Sequence, residues 1–307
     1  MTLYLILCLV LAVLFGGAYY AYRVAFYSPT AGRDKIPTVS GSGYEPYKEE
    51  ISRVFRQLKD KEYTEVTTQS RDGLTLSGKY YHVKDGGPVA ICFHGYRSSG
   101  MTDFCGGCDL CFATGQNVLL VDQRAHGKSE GRTITFGIRE RQDLLCWVDF
   151  VLNRFGRDTQ ILLYGISMGG ATVLMASELE LPENVKAIIA DCPYSSPLDI
   201  ILHVGKSMPL PQWLIKPFVI LGAKVFGGFD VRESDALRAV KNAKVPVLLI
   251  HGEADGFVPC EMSKAIKSSA GEKITLYTFP GADHGISYLV DTPRYRKLVT
   301  DFLSSVL

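Results

Sequence analysis

The sequence predicts an α/β fold with a mainly parallel sheet and helices on both faces, and two observations carry that prediction. The first is a set of short, continuously apolar runs: Val89 to Phe93, Val118 to Val121, Ile161 to Tyr164, Ala187 to Ala190 and Val247 to Ile250. Strands buried on both faces read this way. The second is what lies between them. From Ile138 to Phe155, Leu144, Leu145, Val148, Val151, Leu152 and Phe155 share one helical face, while Arg139, Glu140, Gln142 and Asp143 fall elsewhere. A helix that covers a sheet needs this stripe. Repeated strand–helix–strand units imply right-handed crossovers and parallel pairing. A last strand is expected at Ile274 to Phe279. Ahead of the parallel set, YTEVTTQS and LTLSGKYYHV alternate in polarity around a turn at Asp72-Gly73. The leading edge should therefore be an antiparallel hairpin.

The N-terminus departs from this pattern. Leu3 to Tyr22 contains no charged residue, and twenty helical residues span roughly 30 Å, the thickness of a bilayer core. Tyr4 stands at one end and Tyr19, Tyr20 and Tyr22 at the other, where amphipathic rings favour the headgroup region. A membrane anchor over residues 1–27 is the expectation, with a cleaved signal peptide as the competitor because Gly16-Gly17-Ala18 offers small residues. No basic residue precedes the apolar run, as a secretory signal would want. Arg23, Arg33 and Lys35 follow the helix, which places the bulk of the chain on the cytoplasmic side. The seven cysteines beyond Cys8 are an odd number, and Cys92, Cys146 and Cys192 sit in apolar runs, which favours a reducing compartment.

Residues 28–47 are rich in Pro, Gly and Ser and read as a linker, followed by a polar helix around Glu49 to Lys59; together they make a connecting segment over 28–62. The main domain is then expected at 63–307. A chain of 307 residues with 47% apolar and 21% charged residues builds a substantial core, which excludes a disordered protein. Its net charge of +1 argues against a nucleic-acid partner. Composition says nothing of oligomeric state. One stretch breaks the strand–helix rhythm. Residues 195–235 insert about forty residues, dense in Trp213, Leu214, Phe218, Ile220 and Leu221, and insertions of this length tend to be functional. A mostly helical cap that lines an apolar substrate pocket is expected, with Trp213 and Phe218 as candidate substrate contacts.

Gly165-Ile166-Ser167-Met168-Gly169 lies between the strand ILLY and the helix ATVLMASEL. A serine at a strand-to-helix junction occupies a sharp turn, and glycines on either side leave it room. Its hydroxyl then points away from the sheet beside the free N–H groups of a helix start. A serine hydroxyl needs a base to become a nucleophile. Asp255 follows the strand VPVLLI, and His284 follows the last strand in Pro280-Gly281-Ala282-Asp283-His284-Gly285. Both stand in loops at the strand ends where sites of parallel sheets assemble. Asp283, next to His284, is an alternative acid. Cys105, Cys108 and Cys111 share one side of a helix, but no fourth ligand follows nearby, so a helix packed on the sheet is expected rather than zinc. His94, His126 and His251 read as residues that fix loops, and Asp103 and Glu253 as solvated loop residues.

Ser167, Asp255 and His284, in that order and in these motifs, resemble the catalytic triad of the α/β-hydrolase superfamily. Phe93-His94-Gly95-Tyr96 resembles that family's H-G-x oxyanion loop. Val121 to Ser129, VDQRAHGKS, resembles the D-x-R-x-H-G-x-S turn of the branch with monoacylglycerol lipases, serine aminopeptidases and membrane-anchored bacterial esterases. The resemblance covers residues 63 to 307. It implies Ser167 as nucleophile, His284 as base, Asp255 as the acid that orients it, and an oxyanion hole from the backbone N–H groups of Tyr96 and Met168. It implies neither metal nor cofactor. The expected activity is hydrolysis of a small-molecule ester or acyl substrate, of a lipid or otherwise; an aminopeptidase-like peptidase, an acyltransferase and a non-catalytic tethered binding module are the alternatives.

Overall fold

The computed structural model describes residues 1–28 and 43–307; most of the expected linker, with Arg33 and Lys35, lies outside them. Eight strands, β1 (Thr64–Gln69), β2 (Thr75–Tyr81), β3 (Val89–Phe93), β4 (Asn117–Val121), β5 (Ile161–Ile166), β6 (Val185–Asp191), β7 (Val247–Gly252) and β8 (Ile274–Phe279), form one sheet in the order β1-β2-β4-β3-β5-β6-β7-β8. The β1–β2 hairpin is antiparallel, β2 joins β4 antiparallel, and every later pairing is parallel. The helices are α1 (Thr2–Ala21), α2 (Lys48–Lys59), α3 (Gly100–Phe104), α4 (Gly107–Ala113), α5 (Glu140–Phe155), α6 (Met168–Ala176), α7 (Pro197–Val204), α8 (Gln212–Val225), α9 (Ala236–Ala239), α10 (Cys260–Ala270), α11 (Ser287–Val290) and α12 (Thr292–Ser304).

The pleat divides each strand between two cores. In β3, Val89, Ile91 and Phe93 face a layer that includes Leu144, Trp147 and Val151 of α5. Ala90 and Cys92 face the opposite layer, with Phe55 of α2, Cys108 and Cys111 of α4 and Leu303 of α12. Such alternation is the period-two geometry of a strand. The three cysteines of the 105–111 segment are all buried, and desolvation pushes the Cys105 and Cys111 thiols up to about 12. They stay protonated at neutral pH and pack as small apolar groups. Helix α2 is more deeply engaged than its polar composition suggested. Ile51, Val54, Phe55 and Leu58 recur on one face and are buried, so packing against the sheet begins near Tyr44, upstream of residue 63.

A third core lies under α7 and α8, where Ile215, Val219 and Ala223 meet Met168, Ile134, Phe136 and Phe229. The insertion is helical, as expected, but its apolar surface has another partner. Helix α8 packs along the C-terminal half of α1. Gly222 allows the contact, since a Cβ there would lie 2.5 Å from the Ala18 carbonyl oxygen. Gly17 does the same beneath the Phe218 ring, and Tyr19 meets Phe226 edge-on at 5.2 Å. Small residues that let helices approach closely are typical of contacts within a bilayer. The N-terminal half of α1 exposes Leu3, Leu5, Leu9 and Leu11. With the π-helical turn Tyr22–Phe26 that continues it, this is one helix long and apolar enough to cross a membrane.

Candidate active site

Ser167 occupies the turn between β5 and α6 with φ +55° and ψ −114°. An L-residue is held there at a cost of order 1–3 kcal/mol and only where its surroundings enforce it. The enforcement is visible on both sides. A Cβ on Gly165 would sit 2.2 Å from the Gly169 carbonyl oxygen, and one on Gly169 would sit 1.8 Å from that of Phe93. Both neighbours are backbone and cannot yield, so the two glycines are what permit the turn. The Ser167 N–H donates to the Asp191 carbonyl at 2.9 Å, which ties the turn to the end of β6.

The loops after β7 and β8 bring the partners. His284 Nε2 lies 3.0 Å from Ser167 Oγ, and His284 Nδ1 lies 2.7 Å from Asp255 Oδ2. The second contact puts the ring proton on Nδ1 and leaves Nε2 free to accept from the hydroxyl. Asp255 Oδ1 accepts from the N–H groups of Phe257 (2.9 Å) and Val258 (2.7 Å). Burial opposes its charge, but hydrogen bonds from His251, His284 and the backbone hold the carboxyl well below the usual range. Asp283 faces elsewhere: its Oδ1 accepts from the N–H groups of Gly256 and His284, bracing the two loops together. The imidazole therefore has one acid partner, Asp255. Among the described residues, the cluster of potential metal ligands is Cys192, Asp255 and His284, and two of its three members are already committed to this hydrogen-bonded chain.

The loop after β3 lies directly over the serine. A Cβ on Gly95 would stand 3.4 Å from Ser167 Cβ. Around the Tyr96 N–H, both neighbouring amides are occupied: Gly95 donates to Asp103 Oδ2 at 2.6 Å and Arg97 to His126 Nε2 at 3.0 Å. The Tyr96 N–H itself has no acceptor among the described residues. The Met168 N–H opens α6 and is one of the four that a helix start leaves unsatisfied. Asp103 is thus no solvated loop residue; it also accepts from Ser98 Oγ and holds the loop in shape. His94 and His126 do fix loops. His94 Nε2 accepts from the Gln123 N–H, and His126 Nδ1 bonds the Arg124 carbonyl.

Residues 88–231 match the family model described as the alpha/beta hydrolase fold, and the sheet order and strand-to-helix turn described above agree with it. The chain has the α/β-hydrolase fold. YqkD, an uncharacterized protein of Bacillus subtilis, is 26% identical over 97% of this chain and 95% of its own length. The thiohydrolase aneE of Aspergillus aculeatus is 31% identical over 44% of this chain and 42% of its own. The esterase Pf2001 of Pyrococcus furiosus shares the fold, with a TM-score of 0.66 and 24% identity over 91% of this chain and 99% of that one.

In this α/β-hydrolase fold, Ser167 and His284 open on a cavity of about 380 Å³. Its walls come from α2, α3, α4, α11, α12 and β6, with Ile51, Val54, Leu110, Ile189, Leu289 and Val299 among them, and Phe257 and Tyr96 stand beside the serine. No residue of 195–235 lines it. The sequence-based placement of Trp213 and Phe218 in the substrate pocket is therefore corrected. Trp213 is 75% exposed, and Phe218 is turned to α1, while Ile215, Val219 and Ala223 of the same helix are buried in the third core and not in the cavity. The wall was not legible because α2 reads as a polar helix of the connecting segment and α4 as a helix packed on the sheet, and nothing in their spacing marks a gap between them.

Asp191 also lies on the cavity wall. The Tyr295 hydroxyl donates to its Oδ2 at 3.1 Å, and its Oδ1 has no partner among the described residues. Burial pushes this carboxyl up to about 6. A group whose folded pKa is raised binds its proton more tightly in the native state. Stability then falls as pH rises from about 4 through that value, by about 3 kcal/mol. Asp191→Asn should remove this slope, so the variant gains on wild type above about pH 6 and matches it near about pH 4. Denaturant unfolding at both ends of the window checks it. Equal slopes in the two proteins would assign the pH dependence to another group.

Proposed function

We propose that this α/β hydrolase is a serine hydrolase that cleaves a carboxylic ester with an apolar acyl group, through an acyl-enzyme, while tethered to a membrane by α1. The observation that carries the reading is the hydrogen-bonded chain from Ser167 Oγ through His284 to Asp255, opening on an apolar cavity. His284 takes the Ser167 proton as Oγ adds to the carbonyl, then gives it to the departing alkoxide; water repeats the sequence to release the acid. Asp255 keeps the proton on Nδ1 and stabilises the imidazolium. The N–H groups of Tyr96 and Met168 receive the oxyanion. One similar protein carries the name thiohydrolase, which suits a hydrolase reading.

The membrane part rests on α1. Its exposed apolar girth is of a kind that water-facing surfaces avoid. Its small residues Gly17 and Ala18 are contacts for α8, which supports a retained anchor over a cleaved signal. Positive residues after the helix support a cytoplasmic catalytic domain.

A panel of nitrophenyl esters from short to long chains tests the substrate class. Each methylene accommodated in the cavity is worth about 0.8 kcal/mol, roughly fourfold in kcat/KM. Val54→Trp, which fills the wall beside α2, should move the optimum to shorter chains, whereas Trp213→Ala should leave the profile as in wild type. The reverse pattern would put the acyl chain under α8. A second reading, hydrolysis of an aminoacyl amide, draws on Asp191, whose unpartnered carboxylate oxygen suits a substrate amine. Faster turnover of aminoacyl anilides than of esters would favour it.

A further inference from the structure

We infer that α1 is a working part of the active site: its C-terminal turn positions the oxyanion loop through the side chains of Tyr96 and Arg97. This inference rests on the serine-hydrolase reading above. A helix end leaves its last carbonyls without intrahelical donors, and the π-helical turn Tyr22–Phe26 delivers them to the hydrolase domain. Tyr96 Oη donates to the Ala25 carbonyl at 2.8 Å, with that of Val24 at 3.3 Å. Arg97 Nη2 donates to Val24 at 2.9 Å and to Tyr27 at 3.0 Å. The Phe26 carbonyl accepts from the Ile134 N–H at 2.7 Å. Four successive carbonyls of the helix end are thus held by the domain, three of them by two consecutive residues of one loop.

Packing reinforces the bonds. Phe26 is fully buried, edge-on to Phe136 (5.8 Å) and Phe229 (5.3 Å). Phe136 in turn lies 5.0 Å from the Tyr96 ring. Tyr96 is therefore gripped on its ring by the aromatic cluster that seats the helix and at its hydroxyl by the helix terminus. Its main chain carries the N–H assigned above to the oxyanion, next to Gly95, where a Cβ would stand 3.4 Å from Ser167 Cβ, and the following Arg97 sits at φ +53°, a backbone state an arginine keeps only when held. Asp103 and His126 fix the loop from inside the domain, and the helix end fixes it from outside. Displacement of α1 would be transmitted to the donor by about the same distance, and 1 Å at a reacting group costs on the order of 10²-fold.

The test uses the full chain in detergent or lipid nanodiscs, below its unfolding temperature. Tyr96→Phe/Arg97→Gln keeps the Tyr96 ring and replaces the guanidinium with a shorter, neutral amide, so that both residues release the helix carbonyls. It should lower kcat for a nitrophenyl ester by about 10²-fold with KM changed less than about twofold, since an oxyanion donor acts in the transition state. Tyr22→Phe is the comparison. It removes a bond from the same helix end, Tyr22 Oη to Thr133 Oγ1 at 2.9 Å, that does not touch the loop, and should leave kcat within about twofold. Should the double variant not fold, Tyr96→Phe alone is read the same way, with a loss of about tenfold. Wild-type kcat in the loop variant, or equal losses in both, overturns the inference while the hydrolase reading stands. A wild-type protein that neither hydrolyses esters nor reacts with a fluorophosphonate at Ser167 overturns the hydrolase reading, and this inference with it.

Discussion

Ser167→Ala is expected to abolish labelling by a fluorophosphonate and to lower kcat by about 10⁴- to 10⁶-fold, the range seen when the nucleophile of such a triad is removed. The loss should leave the fold intact. Alanine fits the space of serine, and the turn is enforced by the backbone packing of Gly165 and Gly169 rather than by the hydroxyl. The binding cavity and the two candidate oxyanion donors also remain, so KM should change little and some residual hydrolysis over water persists. Intact-mass labelling, steady-state kinetics and circular dichroism on the same preparation separate these expectations. Unchanged labelling of the alanine variant would move the nucleophile away from Ser167.

Much of this was open to reading because the chemistry dictates the residues locally. Strands buried on both faces must be apolar throughout, so Val89–Phe93 and Ile274–Phe279 could be bounded to the residue, and β5 to β7 to within two or three. The serine turn admits only glycine at 165 and 169, because backbone occupies the space a Cβ would take. Asp255 and His284 follow strands directly, so parallel pairing alone brings them to one edge.

The cavity and the partner of α8 were not legible, for a common physical reason. An apolar side chain on a helix reports that something covers it, not what. Phe218, Ile215 and Val219 repeat at helical spacing, and that pattern fits a substrate lid as well as it fits a helix held between α1, which meets Phe218, and a core that takes Ile215 and Val219. The contact that decides it joins residues about two hundred positions apart and leaves only small residues, Gly17, Ala18 and Gly222, as its trace. Asp103 was missed similarly: a carboxylate in a short loop looks solvated until the fold brings the Gly95 N–H within 2.6 Å.

Asp255→Asn is expected to lower kcat by about 10⁴-fold with the protein still folded. The amide oxygen can keep accepting from the Phe257 and Val258 N–H groups, which preserves the loop. Its NH₂ then faces His284 Nδ1 as a donor. The imidazole responds by moving its proton to Nε2, the nitrogen 3.0 Å from Ser167 Oγ, and it can no longer serve as base. Stability carries a second signature. A carboxyl held below its unfolded pKa contributes stability that is complete above that pKa and is lost only as pH falls through the folded value. Wild type should therefore exceed Asp255→Asn in stability at neutral pH, and the gap should close on acidification below about pH 4. Asp283→Asn, whose oxygen would still accept from Gly256 and His284, should keep kcat within about fivefold of wild type. If Asp283→Asn were instead the crippled protein and Asp255→Asn the active one, Asp255 would lose its place beside the imidazole and the chain from Ser167 would have to be redrawn through the other carboxylate.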